Sequence, residues 1–356
     1  MKKLYYYANN IYQFSYALPV YDKLGGTFIV LGKRELGQFK LYLRNRARFG
    51  ERNLWQTPAV KIVPRREVNN LEGIVFYLSN SIITYQDYSK SVTLFHEHGT
   101  SDKLYGGGRP SAKRKLNSYD YILLSGDKNK HRLEEIGLKI PDEKLVKIGG
   151  LRFDEYLNGS IDKEQEMDRL GIKDRSRKNI LYAPTWSFGN GTFKKYAMKF
   201  AKEITKKYNL IIRPHYHDRV HGTYVKFMAK LQGNKHLYLS QSANLIKSDT
   251  LRDFIVSDLL ISDISSVIYE YLITRNPVII AQNDFEMRHN MPEEYNIMNT
   301  VDIYSGKENI LDMIDENLKS QKYRDDYDRL LHNCFYNVDE GCVDKAVEFI
   351  RNLQQE

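Results

Sequence analysis

Short apolar runs recur along the chain, each flanked by polar turns and separated by segments of helical period. The alternation is cleanest between Leu251 and Ala281: a short helix, the run Asp258–Ser262, a polar turn at Asp263–Ser266, a helical segment Val267–Thr274 and a second run Pro277–Ala281. Two runs apolar on both faces and joined by a helix predict a βαβ unit of a parallel sheet. The same rhythm opens the chain. Lys3–Ala8 reads as a strand, Ile11–Lys23 carries apolar residues at helical spacing up to Gly25-Gly26, and Thr27–Leu31 is strand-like again. Gly73–Leu78, Ser91–Phe95, Tyr121–Ser125 and Lys144–Ile148 predict further buried strands, with a helix over Lys128–Ile136.

Ser160–Lys178 interrupts the rhythm. It is highly charged, holds few large apolar residues, and reads as an inter-domain connection. The alternation resumes with strands at Asn179–Ala183, Leu210–Arg213 and His236–Leu239 and a helix over Phe193–Tyr208. Asn309–Lys319, Asp325–Asn333 and Val343–Leu353 predict closing helices. Two halves of like rhythm predict an α/β protein of two Rossmann-like domains facing a central cleft. The expected division is an N-terminal domain over 1–158, a C-terminal domain over 176–335 and a terminal helix over 336–356.

Composition narrows the partners. A chain of 356 residues suffices for two cores, and 42% hydrophobic residues exclude a disordered polymer. Lys+Arg 54 against Asp+Glu 45 leaves a formal charge of +9, which favours nucleotides, phosphopolymers, nucleic acid or an anionic membrane surface. The first apolar run stops at Asn9-Asn10, too early for a signal-peptide core, and no run approaches the ~20 apolar residues of a membrane span. The expectation is a cytoplasmic protein whose membrane contact is peripheral. Phe39–Arg48 is a basic amphipathic stretch, read either as a solvated helix face or as a membrane-surface contact through Arg44, Arg46 and Arg48. Cys334 and Cys342 lie close together, and reduced thiols are expected in preference to a disulfide.

Candidate chemistry gathers where strands end, the position at which open α/β sheets bind ligands. Asp263-Ile264-Ser265-Ser266 hands a strand over to a helix, where unpaired backbone N–H groups and two hydroxyls suit a phosphate; the same residues also suit a plain helix cap. His96-Glu97-His98 follows the strand Ser91–Phe95. His98 reads either as a general base near neutral pH or as a structural histidine, and a zinc reading of the trio lacks a further ligand at local spacing. Arg213-Pro214-His215 ends another strand and reads either as a guanidinium and an imidazole offered to a diphosphate or, with His217, Arg219 and His221, as a solvated basic loop. Pro184-Thr185-Trp186-Ser187 follows Asn179–Ala183 and leads into a loop containing Gly189 and Gly191.

Taken together and in order, HGT at His98–Thr100, GLRFDEYL at Gly150–Leu157, ILYAPTW at Ile180–Trp186, RPH at Arg213–His215 and SDLLISDISSVIYEYL at Ser257–Leu272 resemble the CDP-glycerol glycerophosphotransferases, the teichoic-acid primases and polymerases of bacterial cell walls. The resemblance runs from about Ser91 to Asp284; the first ninety residues show no comparable match. It implies a GT-B fold and transfer of glycerol phosphate, or in some members ribitol phosphate, from a CDP-linked donor to a hydroxyl of a lipid-linked or polymer acceptor, with release of CMP. By matching positions it implies His98 as base and His215 as its catalytic partner at the donor phosphates. Gly99, Thr100, Thr185, Arg213, Asp263, Ser265, Ser266 and Glu270 would bind donor, with Glu270 near the ribose. Glu97 and Ser101 stand where the family often has Trp and Pro, and His215-Tyr216 where it has His-Pro.

The expected function is therefore a transferase of teichoic-acid or surface-polysaccharide synthesis that needs neither metal nor cofactor and works at the inner face of the cell membrane. Two rival readings remain. A GT-B enzyme acting on a sugar nucleotide would release a nucleoside diphosphate, and a basic nucleic-acid-binding protein would bind DNA or RNA with steep salt dependence.

Overall fold

The apolar runs assemble into two all-parallel sheets. The computed structural model describes residues 1–48, 58–85, 87, 90–187, 190–240, 250–283, 291–339 and 341–356, without the side chains of 45–48 and 216. The chain divides into one unit of Met1–Asn158 with His332–Glu356 and a second of Gly159–Leu331.

The first unit is built on β1 (Leu4–Tyr7), β2 (Thr27–Val30), β3 (Ala59–Ile62), β4 (Gly73–Tyr77), β5 (Ser91–His96), β6 (Tyr121–Leu124) and β7 (Leu145–Lys147). Their order across the sheet is β3-β2-β1-β4-β5-β6-β7. The direction of progression reverses between β1 and β4, which pair in register from Leu4↔Ile74 to Tyr7↔Tyr77. Such a reversal opens a crevice beyond the strand ends. The inner strands β1, β2, β4, β5 and β6 are buried along most of their length, as strands covered on both faces are, and Tyr7, Ile29, Val75, Tyr77, Phe95 and Ile122 join one core.

The second unit contains β8 (Asn179–Tyr182), β9 (Asn209–Ile212), β10 (Leu237–Leu239), β11 (Leu259–Ser262), β12 (Val278–Ala281) and β13 (Asp302–Tyr304), in the order β10-β9-β8-β11-β12-β13. Its reversal falls between β8 and β11. Ile180, Tyr182, Phe200, Leu210, Ile212, Ile261 and Ile279 are among the side chains of its core.

Four features depart from the sequence reading. The edge strands β3 and β13 were not expected. β3 (AVKI) is broken by Lys61 and buries none of its four residues, and β13 (DIY) is three residues long and buries only Tyr304, so neither stands out as a buried run. Ile11–Lys23 is a 3-10 helix, Ile11–Tyr16, followed by an α-helix, Leu18–Leu24, with Pro19 in its first turn. Ser160–Lys178 is not a bare connection: Lys163–Leu170 is a helix of the second unit, capped by Asp162, whose side chain accepts from the Gln165 N–H. Its Glu166 is buried against Arg169 and Arg252, so an ion-paired face replaces an apolar one.

The chain also returns to the first unit at His332, and the terminal segment is not a third body. The helix Cys342–Gln355 begins on Asp154, whose carboxylate accepts the N–H of Cys342 at 3.0 Å and of Val343 at 3.1 Å. Those N–H groups otherwise lack a partner at a helix start, so the Gly-x-Arg-x-Asp segment acts here as a cap supplied from elsewhere in the chain. Cys334 and Cys342 are buried free thiols.

The helix Lys33–Arg48 turns Phe39, Tyr42 and Leu43 into the first core and leaves Lys40 and Arg44 exposed. Arg46 and Arg48 have side chains outside the described set. Among the described residues no helix is long and apolar enough to cross a membrane.

Candidate active site

In the first unit three strand ends converge on His98. β1 leads to Asn10–Gln13, β4 to Leu78 and β5 to the His98 loop, so the imidazole belongs to the β1/β4 reversal. Gly99 holds φ 116°, a conformation that side chains disfavour, and this turns the chain directly after His98.

The hydrogen bonds of His98 settle its tautomer. Nδ1 lies 3.0 Å from the Leu78 carbonyl, which can only accept, so Nδ1 carries the proton and Nε2 the lone pair. The Gln13 amide is oriented in the same way. Its Oε1 accepts the Asn10 N–H at 3.0 Å, so its Nε2 is the atom 3.1 Å from both His98 ring nitrogens. A donor equidistant from both nitrogens is off the Nε2 lone-pair axis; it steadies the ring without lying along that axis. Tyr12 packs edge-on at 5.8 Å between ring centroids. Burial lowers the His98 pKa, and the nearby Glu97 charge and the Leu78 carbonyl oppose that shift without cancelling it.

Beneath the loop, one helix clamps residues 97–103. Asp127–Glu135 contributes Arg132, whose Nη1 donates to Glu97 at 2.7 Å and Nη2 to the Lys103 carbonyl at 2.7 Å. Asn129 donates to Glu97 at 3.0 Å, and the fully buried Lys128 meets Asp102 at 2.5 Å. Arg132 also stacks on Tyr105, 4.2 Å from the ring centroid. This arrangement closes the zinc reading of His96, Glu97 and His98. Glu97 is committed to Arg132, and His96 is buried with Nδ1 2.9 Å from the Leu123 carbonyl. It also accounts for Glu97 at a position where the family often has Trp: the departure is matched by a guanidinium. Thr100 is buried at the start of this loop.

In the second unit the expected donor residues cluster around the β8/β11 reversal, with different tasks. Asp263 is wholly buried. Its Oδ1 accepts the N–H groups of Thr185 at 2.8 Å and Ile264 at 2.7 Å, and its Oδ2 accepts the Thr192 N–H at 2.8 Å and hydroxyl at 3.0 Å. All four acceptor directions are thus taken, so Asp263 ties the loop after β8 to the turn after β11 and does not meet donor itself. Gly191 permits that loop to close, because a Cβ there would sit 1.8 Å from the Thr185 carbonyl oxygen. Gly189 lies outside the described residues.

Arg213 is likewise engaged. Its Nη1 lies 2.5 Å from Asp253 and 3.3 Å from Ser240, all three buried. The guanidinium anchors the end of β9 and so places His215, rather than reaching outward. His215 is half-buried, with Nδ1 accepting the His217 N–H at 3.4 Å and with Trp186 6.1 Å away between ring centroids. The Ser265 hydroxyl accepts the Val267 N–H at 3.3 Å, Ser266 is half-buried, and Glu270 is buried in the helix Val267–Tyr271. That helix has five residues, extended by a 3-10 turn over Leu272–Thr274, so hydroxyls and imidazole carry more of any anion binding than a macrodipole does. In the loop after β8, Thr185 Oγ1 and Ser187 Oγ are buried without a hydrogen-bond partner among the described residues; such orphan hydroxyls fit a ligand oxygen.

Sequence reasoning missed Gln13, Asp253 and the Lys128/Asn129/Arg132 clamp. Only Gln13 carried a readable signal, the Asn10-x-x-Gln13 spacing of a capping box immediately after a strand.

The sequence profile of the family described as CDP-Glycerol:Poly(glycerophosphate) glycerophosphotransferase matches residues 75–351. The chain is 25% identical over 224 residues to the teichoic acid glycerol-phosphate primase of Bacillus subtilis (strain 168), a match covering 60% of this chain and 55% of that protein. It is 26% identical over 199 residues to the teichoic acid poly(glycerol phosphate) polymerase of Staphylococcus epidermidis, covering 52% of this chain and 26% of that protein. The chain thus spans about half or less of the length of these curated relatives. The solved structure of the wall teichoic acid polymerase TagF matches it with a TM-score of 0.66 at 17% identity, over 99% of this chain and 90% of that one. That likeness is one of fold, and the fold is of the GT-B type. The two reversed parallel sheets and the profile match, extending over most of its length, make this chain a member of the CDP-glycerol glycerophosphotransferase family.

Proposed function

We propose that this protein transfers glycerol phosphate from CDP-glycerol to a hydroxyl of a lipid-linked or polymer acceptor and releases CMP. The observation that carries the reading is the His98 tautomer: Nδ1–H held by the Leu78 carbonyl leaves Nε2 as a proton acceptor. In the proposed step the acceptor oxygen attacks the phosphorus that bears glycerol. Its proton passes to His98 Nε2, the bond from that phosphorus to the bridging oxygen breaks, and the electron pair leaves with CMP. His215, Thr185, Ser265 and Ser266 hold the diphosphate and stabilise the charge that develops on it, with Glu270 toward the ribose. Arg213 positions His215, and Gly99 and Thr100 hold the base in place. The proposal includes peripheral attachment at the inner face of the cell membrane.

The test is to incubate the protein with CDP-glycerol, CDP-ribitol and UDP-sugars in the presence of acceptor and identify the nucleotide released. CMP from a CDP-polyol is expected. Release of a nucleoside diphosphate would replace the reading with glycosyl transfer, and the absence of turnover together with salt-sensitive binding to DNA or RNA would replace it with nucleic-acid binding.

The pH profile follows from the lowered His98 pKa. Only neutral imidazole accepts the proton, and a depressed pKa keeps that form dominant further into acid. The rate is therefore expected to stay level through neutral pH and to fall with an acid limb centred below the ordinary histidine value of about 6.5. A limb centred at or above that value in a kcat/KM titration would contradict the assignment.

A further inference from the structure

We propose that the outward face of the helix Arg219–Leu231 is a docking surface for an anionic lipid layer. Val220, Tyr224, Phe227 and Leu231 are 70%, 57%, 58% and 66% exposed. At 100° per residue they fall within an arc of about 60°, forming one continuous stripe. Gly222, Val225 and Ala229 are buried on the opposite side against the second unit. The helix is therefore apolar twice over: one face builds the core and the other faces solvent. Exposed large apolar residues are ordinary when scattered, but four in register form a patch.

Charge identifies the occupant. Arg219, Lys226 and Lys230 are all exposed and lie together along one flank of the stripe, within about 40° of one another. The helix RVHGTYVKFMAKL contains no acidic residue, and Asp218, just before it, is buried and accepts the Ser187 N–H. An apolar and aromatic stripe with a cationic border is the pattern that inserts shallowly among acyl chains while its cations meet lipid phosphates. A second copy of this helix would bring more cations and no acid to meet them. The basic stretch Lys40–Arg48 offers a poorer surface, because Phe39, Tyr42 and Leu43 are already turned into the core. The proposal rests on the peripheral attachment proposed above and assigns it a surface; the transferase reading supplies its purpose, access to a lipid-linked acceptor.

The test is sedimentation of the full chain with vesicles of phosphatidylcholine alone and of phosphatidylcholine mixed with phosphatidylglycerol. Binding to the mixture, weakening with salt, is expected. The double variant Phe227→Asp/Leu231→Asp should lose roughly tenfold or more in that binding, since it removes apolar anchors and adds repelled charge. Circular dichroism and CMP release with a water-soluble acceptor should remain as in wild type. Phe227→Trp should give an additional emission that shifts to the blue only with the anionic vesicles. The proposal is overturned if wild type ignores both vesicles, if the double variant binds like wild type, or if binding is lost through Lys40→Glu/Arg44→Glu instead. It is also overturned if wild type is a dimer that the double variant dissociates, which would make the stripe a self-interface. Vesicle binding without CMP release would instead count against the transferase reading and leave the surface standing.

Discussion

His98→Ala is expected to lower the transfer rate by ~10²–10⁴ while donor affinity stays near that of wild type, the usual size and signature of a lost general base. The proton passes only as the acceptor attacks, so its removal raises the barrier without weakening bound CDP-glycerol. His215→Ala should behave differently. A group that holds the diphosphate acts on bound donor and transition state alike, so its loss should weaken donor binding and also slow transfer. Titration of CDP-glycerol by calorimetry, with single-turnover rates on both variants, separates the two. Normal turnover by His98→Ala, or donor binding lost there and kept in His215→Ala, would overturn the division of roles. Gln13→Leu is an informative companion. It removes the amide that steadies the ring but leaves Nδ1–H on Leu78, so its rate should fall by less than that of His98→Ala.

Asp263→Ala should cost about 3–5 kcal/mol of folding stability, because it leaves three backbone N–H groups without the wholly buried carboxylate that accepts them, while the Thr192 hydroxyl keeps only Tyr182. Asp263→Asn should recover little, since an amide turns N–H groups toward N–H donors. Urea unfolding measures the effect as a fall in midpoint at unchanged slope. A loss below about 1 kcal/mol would mean that the loop after β8 finds other acceptors, and would remove the basis for treating Asp263 as a tie. The prediction matters for function because the same carboxylate holds Thr185 and the turn carrying Ser265 and Ser266 in one arrangement. A variant that unfolds only slightly but loses donor affinity would locate the role of Asp263 in placing those hydroxyls.

The parallel sheets were legible in sequence because a strand covered on both faces must be apolar throughout, as Leu259-Leu260-Ile261 and Val278-Ile279-Ile280 are. The strand ends were legible for the same reason: the apolar run stops where His98, Arg213 and Asp263 begin, and the topology makes those positions the ligand side. The family followed from five ordered motifs. Chain order alone did not reveal tasks that depend on a distant partner. Arg213 reads as a phosphate ligand until Asp253, forty residues later, takes its guanidinium. Asp154 reads as part of a motif until it caps a helix that begins at Cys342. Glu166 reads as linker charge until Arg252 pairs with it in the interior. Apolar periodicity is local and survives in the sequence, so it determined the fold class and the candidate positions. Hydrogen bonds and ion pairs join groups far apart in the chain, so only the tertiary structure decided which charged side chains remain to meet a ligand, which are already satisfied, and which apolar face, Val220 to Leu231, was left outside.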